Sequence, residues 1–430
     1  MKMKQNRVKK WIAKLAVCGA ALLTALTGTA QYYARSLPDH YYTQPDRPLK
    51  IGAALPVTVS PGSSEPASIQ VAELRLFGFM PVKTVSLTAV APVQVYAGGE
   101  PFGIRMHMAG VMVVSLSELP AAEGHACPAA AAGIEPGDII QEAGGMRISS
   151  SADLQKAVAE SDGAPLSVSY LRGSVQRTVS VQPVWSPAAK RWQTGMWVRD
   201  STAGIGTVTY YLPSATGQIQ FAGLGHAVCD PDTGELIPLA SGDVISVSVR
   251  DVIAGRRGAP GELRGRFDTG QQIGTLLCNS QSGVFGTMTA LPNKQMLLPL
   301  GFRQDIERGA AEILTTVSGT EPQAYSVEIE EIRDHDAAMR NLIVHVTDPA
   351  LLAQTGGIVQ GMSGSPIIQN GRLIGAVTHV FVRDPTRGYG IFAENMYAQT
   401  AAQAVTAEKE AAGARAAAAG SQQEPAASGT

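Results

Sequence analysis

The sequence predicts a mainly β protein of more than one domain, and three observations carry that reading. The chain has 430 residues, about three times a typical domain length. Short runs rich in Val, Ile and Thr recur from Ile69 onward between glycine-marked turns, and segments with helical periodicity are few. Between Pro183 and Ala398 these runs include "GIGTVTYYLPSATGQIQFAGLGHAV", "GDVISVSVRDVIAG", "YSVEIEEI" and "RLIGAVTHVFV", a density that suggests a β-barrel or sandwich. With 45% hydrophobic residues, 16% charged residues and a formal charge of −2, the composition is globular. No basic patch stands out beyond the N-terminus, so nucleic acid is not an expected partner.

The first segment, residues 1–30, reads as an export signal or membrane anchor. "MKMKQNRVKKWIAK" brings six cations by Lys14, and an uncharged run from Leu15 to Thr27 follows. That run is shorter than the roughly 20 residues a spanning helix needs, and small residues at Thr27–Ala30 suit a signal peptidase, so cleavage and retention both stay open. Residues 31–95 read as a Pro/Ser/Gly-rich tether to Ser68 and a small β segment after it. Four cysteines are present: Cys18 in the signal, then Cys127, Cys229 and Cys278. Three remaining thiols suit no disulfide framework, and no Cys or His cluster has zinc spacing, so neither a metal nor a cofactor is expected. Residues 401–430 are an Ala/Gln/Glu low-complexity tail.

Residues 96–185 carry a more specific pattern. "PFGIRMHMAGVMVVSL" precedes "PAAAAGIEPGDIIQEAGGMRISSSADLQKAV" and the alternating "PLSVSYLRGSVQRTVSVQP". GIEPGDII puts a glycine turn before an Ile-Ile strand, and the "SSSAD" run can cap a helix over Leu154–Ala159. The segment resembles a PDZ domain. By that resemblance Phe102, Gly103 and Ile104 fall in the loop whose amides receive a peptide C-terminal carboxylate, with strand addition beside it. Pro101 removes one amide from that loop.

The chemistry centres on "GMSGSP", Gly361–Pro366. A serine nucleophile needs exposure on a sharp turn, a nearby base, and amides aimed at the developing oxyanion. Gly361 and Gly364 permit the turn, and the amides of Gly361 and Ser363 can point to one side. The plainer reading is a structural turn whose hydroxyl bonds its own backbone. GMSGSP resembles the GDSGGP of trypsin-like enzymes at four of six positions. It lacks the last glycine of the GxSxG elbow and a strand-to-helix setting, which argues against an α/β-hydrolase. Among the histidines, His226 in "GLGHAVCD" sits where an apolar strand breaks at two glycines. His335 lies in a charged loop, and His345 and His379 alternate along strands, where ordinary packing explains them. For the orienting acid, Asp348 ends "IVHVTD" before Pro349, where it also suits a helix cap; Asp230, Asp243 and Asp268 stay open beside it. Cys229 reads as a small buried residue.

Together, "MWVRDSTAGIGTVTYY", "GLGHAVCDPDTGE" and "VTDPALLAQTGGIVQGMSGSPIIQNGRLIGAVTHVFVRDPTRGYG" resemble the stage IV sporulation protein B serine peptidases of endospore-forming bacteria. The resemblance runs from the signal anchor to about Met396 and implies a PDZ domain (96–185) followed by a trypsin-like, β-barrel-like peptidase domain (186–400). It implies His226, Asp348 and Ser363 as catalytic residues, with an oxyanion hole of Gly361 and Ser363; His379 is the rival base. It further implies export across the forespore inner membrane into the space between the two cells. There the enzyme clips its own N-terminal region and cleaves a membrane-anchored inhibitor of an intramembrane protease, leading to sigma factor maturation, with self-association through the PDZ domain a further expectation. Two other readings compete. One is an envelope quality-control protease of the HtrA kind, in which PDZ follows the peptidase whereas here it precedes GMSGSP; the other is a non-catalytic PDZ scaffold.

Overall fold

The computed structural model describes residues 2–45, 48–49, 51–61, 69–121, 124–214, 217–293, 296–333 and 339–403. Strands dominate it, as the alternating Val/Thr/Ile runs require. Its functional half consists of two β-barrels lying against one another.

The first barrel is a ring of six strands. Pro101–Leu116 pairs with Leu239–Ile253, which pairs with Glu262–Ser280, then Gly283–Met288, Ile219–Gly223 and Met196–Pro213. The last strand pairs back onto the first and closes the ring. Phe102, Ile104, Met106, Val208, Phe221 and Val244 fill its interior. The second barrel is closed by Gly309–Thr315, Gln323–Ile332, Leu342–Val346, Asp384–Phe392, Arg372–Phe381 and Pro366–Gln369. Ile313, Val327, Val344, Ile367, Val377 and Phe392 form its core. Alternation explains both: residues two apart share a face, and in a barrel this small one face must meet itself.

The PDZ unit is inserted between the first two long strands of the first barrel. Pro101–Leu116 leaves the barrel after Met108 and pairs through Val111 and Met112 with Ile139–Ala143. Leu166–Arg172 and Val175–Val181 extend that sheet, and the helix Ser151–Glu160 covers it through Leu154, Ala157 and Val158. The cap read from "SSSAD" is present. The Ser150 hydroxyl accepts from the Asp153 amide at 3.1 Å while the Ser150 amide donates to Asp153 Oδ2 at 2.9 Å. The aspartate of GIEPGDII, Asp138, is buried and takes the Arg172 guanidinium at 2.7 and 2.8 Å.

Two expectations are corrected here. Phe102, Gly103 and Ile104 do not form a carboxylate-binding loop; they lie in the first turn-free stretch of a barrel strand, paired on both edges, with Ile104 opposite Gly204 on one side and Val244 on the other. Phe102 packs edge-on against Phe221, with ring centroids 5.6 Å apart. Gly103 is small because a Cβ there would fall 2.6 Å from the Phe267 ring. The N-terminal tether is also more structured than its composition suggests. His40–Thr43 pairs in parallel with Met80–Ala89, and Val57–Pro61 joins Ile69–Leu76 in the same four-stranded sheet. Tyr33, Leu37, Tyr41, Leu74 and Leu76 bury one another there, which offsets the cost of ordering so polar a stretch.

The leading helix, Lys2–Ser36, contains a stretch, Lys14–Ser36, that is long and apolar enough to cross a membrane. Trp11, Leu15, Leu22 and Leu23 on it are exposed. Most of the Ala-rich tail, residues 404–430, lies outside the described residues, as does His335.

Candidate active site

The two barrels face each other across a cavity of about 440 Å³. The first barrel supplies Thr202–Ile205 and Leu224–Cys229, and the second supplies Ile358–Gly361, Ser363 and Thr378–Val380. Ser363, His226 and His379 all line it.

Ser363 sits on the turn that GMSGSP prescribes. Gly361 and Gly364 hold φ of +98° and +97°, a left-handed conformation that costs glycine little. Gly364 also has no room for a side chain, since a Cβ would lie 2.0 Å from the Thr207 carbonyl oxygen. Main-chain bonds fix the turn: the Met362 amide donates to Val359, the Gly364 amide to Val377 and the Ser365 amide to Met362. The amides of Gly361 and Ser363 donate to no acceptor among the described residues. Ser363 Oγ donates to the Thr378 carbonyl at 2.6 Å.

Two residues that sequence reasoning passed over anchor this turn to the other barrel. Thr207 Oγ1 donates to the Gly361 carbonyl at 2.8 Å, and its amide donates to the Ser363 carbonyl at 2.9 Å. Thr209 Oγ1 donates to the Gly364 carbonyl at 2.7 Å. Both threonines are buried. Their spacing of two within "GTVTYY" was the available signal, because it puts two hydroxyls on one face of a strand whose other face packs the barrel.

His226 follows Leu224 and Gly225, which hold φ of +65° and +68° and turn the chain out of its strand. Its Nδ1 lies 2.8 Å from the carbonyl oxygen of Ala227. An Nδ1–H donating there leaves Nε2 as the ring's free lone pair. Burial holds the imidazole below its ordinary pKa, so it is neutral near pH 7. The His379 ring lies 4.6 Å from it at 38°. Burial, then His226, then Arg340 push the His379 pKa down to about 4. Its Nδ1 is buried and has no hydrogen-bond partner among the described residues.

Asp348 stands apart from this group and does not line the cavity. It is the N-cap of the helix Pro349–Thr355; Oδ1 accepts from the amides of Ala350 and Leu351 at 2.9 and 3.0 Å, and Oδ2 from Ser326 at 3.3 Å. Those amides, led by Leu351, hold its carboxyl below the usual carboxylate range. The structure thus puts His226 and Ser363 on the walls of one cavity and leaves Asp348 as the cap its Asp-Pro sequence also suits. The alternative acid Asp230 is taken by Arg199 and the Thr233 turn, and Asp243 by Arg105 and Gln272. Cys229 is exposed and lines the cavity, not buried as its size suggests. His345 pairs with Glu330 at 3.2 Å, as an ordinary strand histidine would.

No group of three or more metal-ligating side chains occurs among the described residues. Residues 190–397 match the SpoIVB peptidase S55 family, and residues 102–182 match the PDZ domain. One curated relative, "Putative serine protease HhoB" of Synechocystis sp., is 34% identical over 107 residues, covering 24% of this chain and 24% of that protein. The chain thus spans about a quarter of the length of that curated relative. Two barrels around a serine turn, with an inserted PDZ unit, agree with both family matches: residues 190–397 belong to the SpoIVB-type S55 serine peptidases, and a PDZ domain precedes the serine turn.

Proposed function

We propose that the chain is an exported serine endopeptidase in which Ser363 is the nucleophile and His226 the general base. The observation that carries the reading is the meeting, in one cavity between two barrels, of a serine on a glycine-held turn, a neutral imidazole and two amides without acceptors among the described residues.

In the reaction, Ser363 Oγ leaves the Thr378 carbonyl and attacks the substrate carbonyl carbon while its proton passes to His226 Nε2. The amides of Gly361 and Ser363 receive the oxyanion. Loss of one such donor typically costs about a hundredfold to a thousandfold in rate. The C–N bond then breaks, and the leaving amine takes the proton from His226. Water, deprotonated by the same imidazole, hydrolyses the acyl-enzyme. The Ala227 carbonyl fixes the His226 tautomer, the task an aspartate performs in other serine peptidases. His379 positions the ring by packing on it.

In its biological setting the enzyme clips its own N-terminal region and cleaves a membrane-anchored inhibitor of an intramembrane protease. This places it in intercompartmental signalling during endospore formation, leading to sigma factor maturation. Family membership supports that setting, as does a leading helix apolar enough to anchor the chain. The test is incubation of purified full-length protein, followed by mass spectrometry of its N-terminus. Wild-type protein shortens from that end and Ser363→Ala does not; shortening in both would contradict the reading.

A further inference from the structure

The small sheet that follows the leading helix ends in an apolar tip. Its strands Ile69–Leu76 and Met80–Ala89 are joined by the turn Phe77-Gly78-Phe79, with Leu76 paired to Met80 and the Phe79 amide donating to the Leu76 carbonyl at 3.3 Å. Phe77 and Gly78 hold φ of +53° and +80°, a conformation that glycine and asparagine adopt readily and a bulky side chain seldom does. Both phenylalanines stand in solvent, Phe79 with 65% of its surface exposed, and their rings stack with centroids 6.4 Å apart. Leu55 is exposed as well and lies beside them, because the Phe77 amide donates to the Pro56 carbonyl at 2.8 Å. Neither residues 51–61 nor residues 76–82 carry a charge. One exposed apolar side chain is ordinary, but three gathered in an uncharged tip mark a surface that another phase covers.

The leading helix says which phase. The Tyr33 hydroxyl accepts the Leu55 amide at 3.0 Å, next to the carbonyl that takes the Phe77 amide. Further from the turn, Lys83 Nζ donates to the Leu37 carbonyl at 2.6 Å. Followed from Leu37 back to Tyr33, the helix therefore climbs along Met80–Ala89 toward the turn. Tyr33 is the first helix residue in the core of the sheet, and before it Tyr32, Leu23, Leu22 and Leu15 are exposed. Lys14–Ser36 is long and apolar enough to cross a membrane. The cations that precede Leu15 set that end of the helix on the cytoplasmic side. Tyr32 and Tyr33 then stand at the opposite interface, the level at which aromatic side chains of a spanning helix collect. The hydrogen bond from Leu55 to Tyr33 brings the tip to that same level.

We propose that the Phe77-Gly78-Phe79 turn, with Leu55, is a second membrane contact, its two rings lying in the headgroup boundary of the bilayer that the leading helix crosses. Two rings alone hold a bilayer weakly, so the contact acts together with the helix and does not replace it. A helix alone leaves the body free to swing about Ser36. A second contact beside the exit point sets the angle of the small sheet to the membrane. The proposal rests on the leading helix as an anchor and is independent of the assignment of Ser363.

The test places benzoylphenylalanine at Phe79 in full-length Ser363→Ala protein, reconstituted in vesicles of phosphatidylethanolamine and phosphatidylglycerol, irradiated, and analysed by peptide mass spectrometry. Phospholipid adducts at Phe79 should exceed by about tenfold those formed when the same photoreactive residue replaces Leu277, an exposed position on the first barrel. With the photoreactive residue at Leu55, the double substitution Phe77→Ser and Phe79→Ser should lower lipid adducts about fivefold. Adducts at Phe79 no more abundant than at Leu277 overturn the contact, as do adducts at Leu55 that the double substitution leaves unchanged. An alkaline carbonate wash separates the two readings: protein that leaves the vesicles ends both the anchor and the contact, whereas protein that stays without adducts at Phe79 ends the contact alone.

Discussion

At the scale of single residues, Asp348 takes one of the two roles open to it in the sequence, a helix cap and not a histidine's partner. Asp348 caps a helix through the amides of Ala350 and Leu351, accepts a third from the strand residue Ser326, and has no hydrogen bond to a histidine among the described residues. Asn caps about as well as Asp, so Asp348→Asn should keep kcat/KM within a few-fold, whereas Asp348→Ala should cost about 1 kcal/mol in a denaturation curve. Were Asp348 the orienting acid, Asn would lower kcat by about ten-thousandfold. The imidazoles make a second prediction. Both have folded pKa values below the ordinary 6.5, with burial the first cause. The unfolded chain therefore binds more protons between pH 6.5 and about 4, so stability falls as pH is lowered through that window. The acid limb of kcat/KM should have its midpoint below 6.5, and a midpoint at or above 6.5 would contradict a buried neutral base. The turn that carries Ser363 was legible because few residues other than glycine accept the positive φ that Gly361 and Gly364 hold. The Ala227 carbonyl was not, because a main-chain acceptor leaves no trace in residue identity.

At the scale of elements, the decisive contact is between a strand of one barrel and the serine turn of the other. Thr207 and Thr209 hold the Gly361 and Gly364 carbonyls from buried positions. Thr207→Val keeps the shape and removes the donor, leaving a buried carbonyl unpaired at a cost of about 1–3 kcal/mol. Chemical denaturation should show that loss, and kcat should fall further than KM rises, because the turn carries the nucleophile. Strand existence was readable from alternation and the PDZ helix from its cap. The edges were not readable: nothing in "PFGI" distinguishes a loop from a strand paired on both sides until the facing Phe267 and Phe221 are known. The parallel pairing of His40–Thr43 was hidden for the same reason, as its partner lies 46 residues away.

At the scale of the whole molecule, the two barrels each supply one wall of the cavity, His226 from one and Ser363 from the other, and the PDZ unit grows out of the barrel that carries the histidine. A division at residue 185 conceals that Pro101–Leu116 and Met196–Pro213 belong to both units at once. Separating the PDZ unit from the peptidase by cutting at residue 185 would therefore open the first barrel. The most direct measurement is fluorophosphonate labelling of the full-length protein, with the modified residue located by peptide mass spectrometry. The account predicts one labelled serine, Ser363, with labelling abolished in Ser363→Ala, strongly slowed in His226→Ala and retained in Asp348→Asn. Labelling that survives Ser363→Ala, or that is indifferent to His226→Ala, would contradict it.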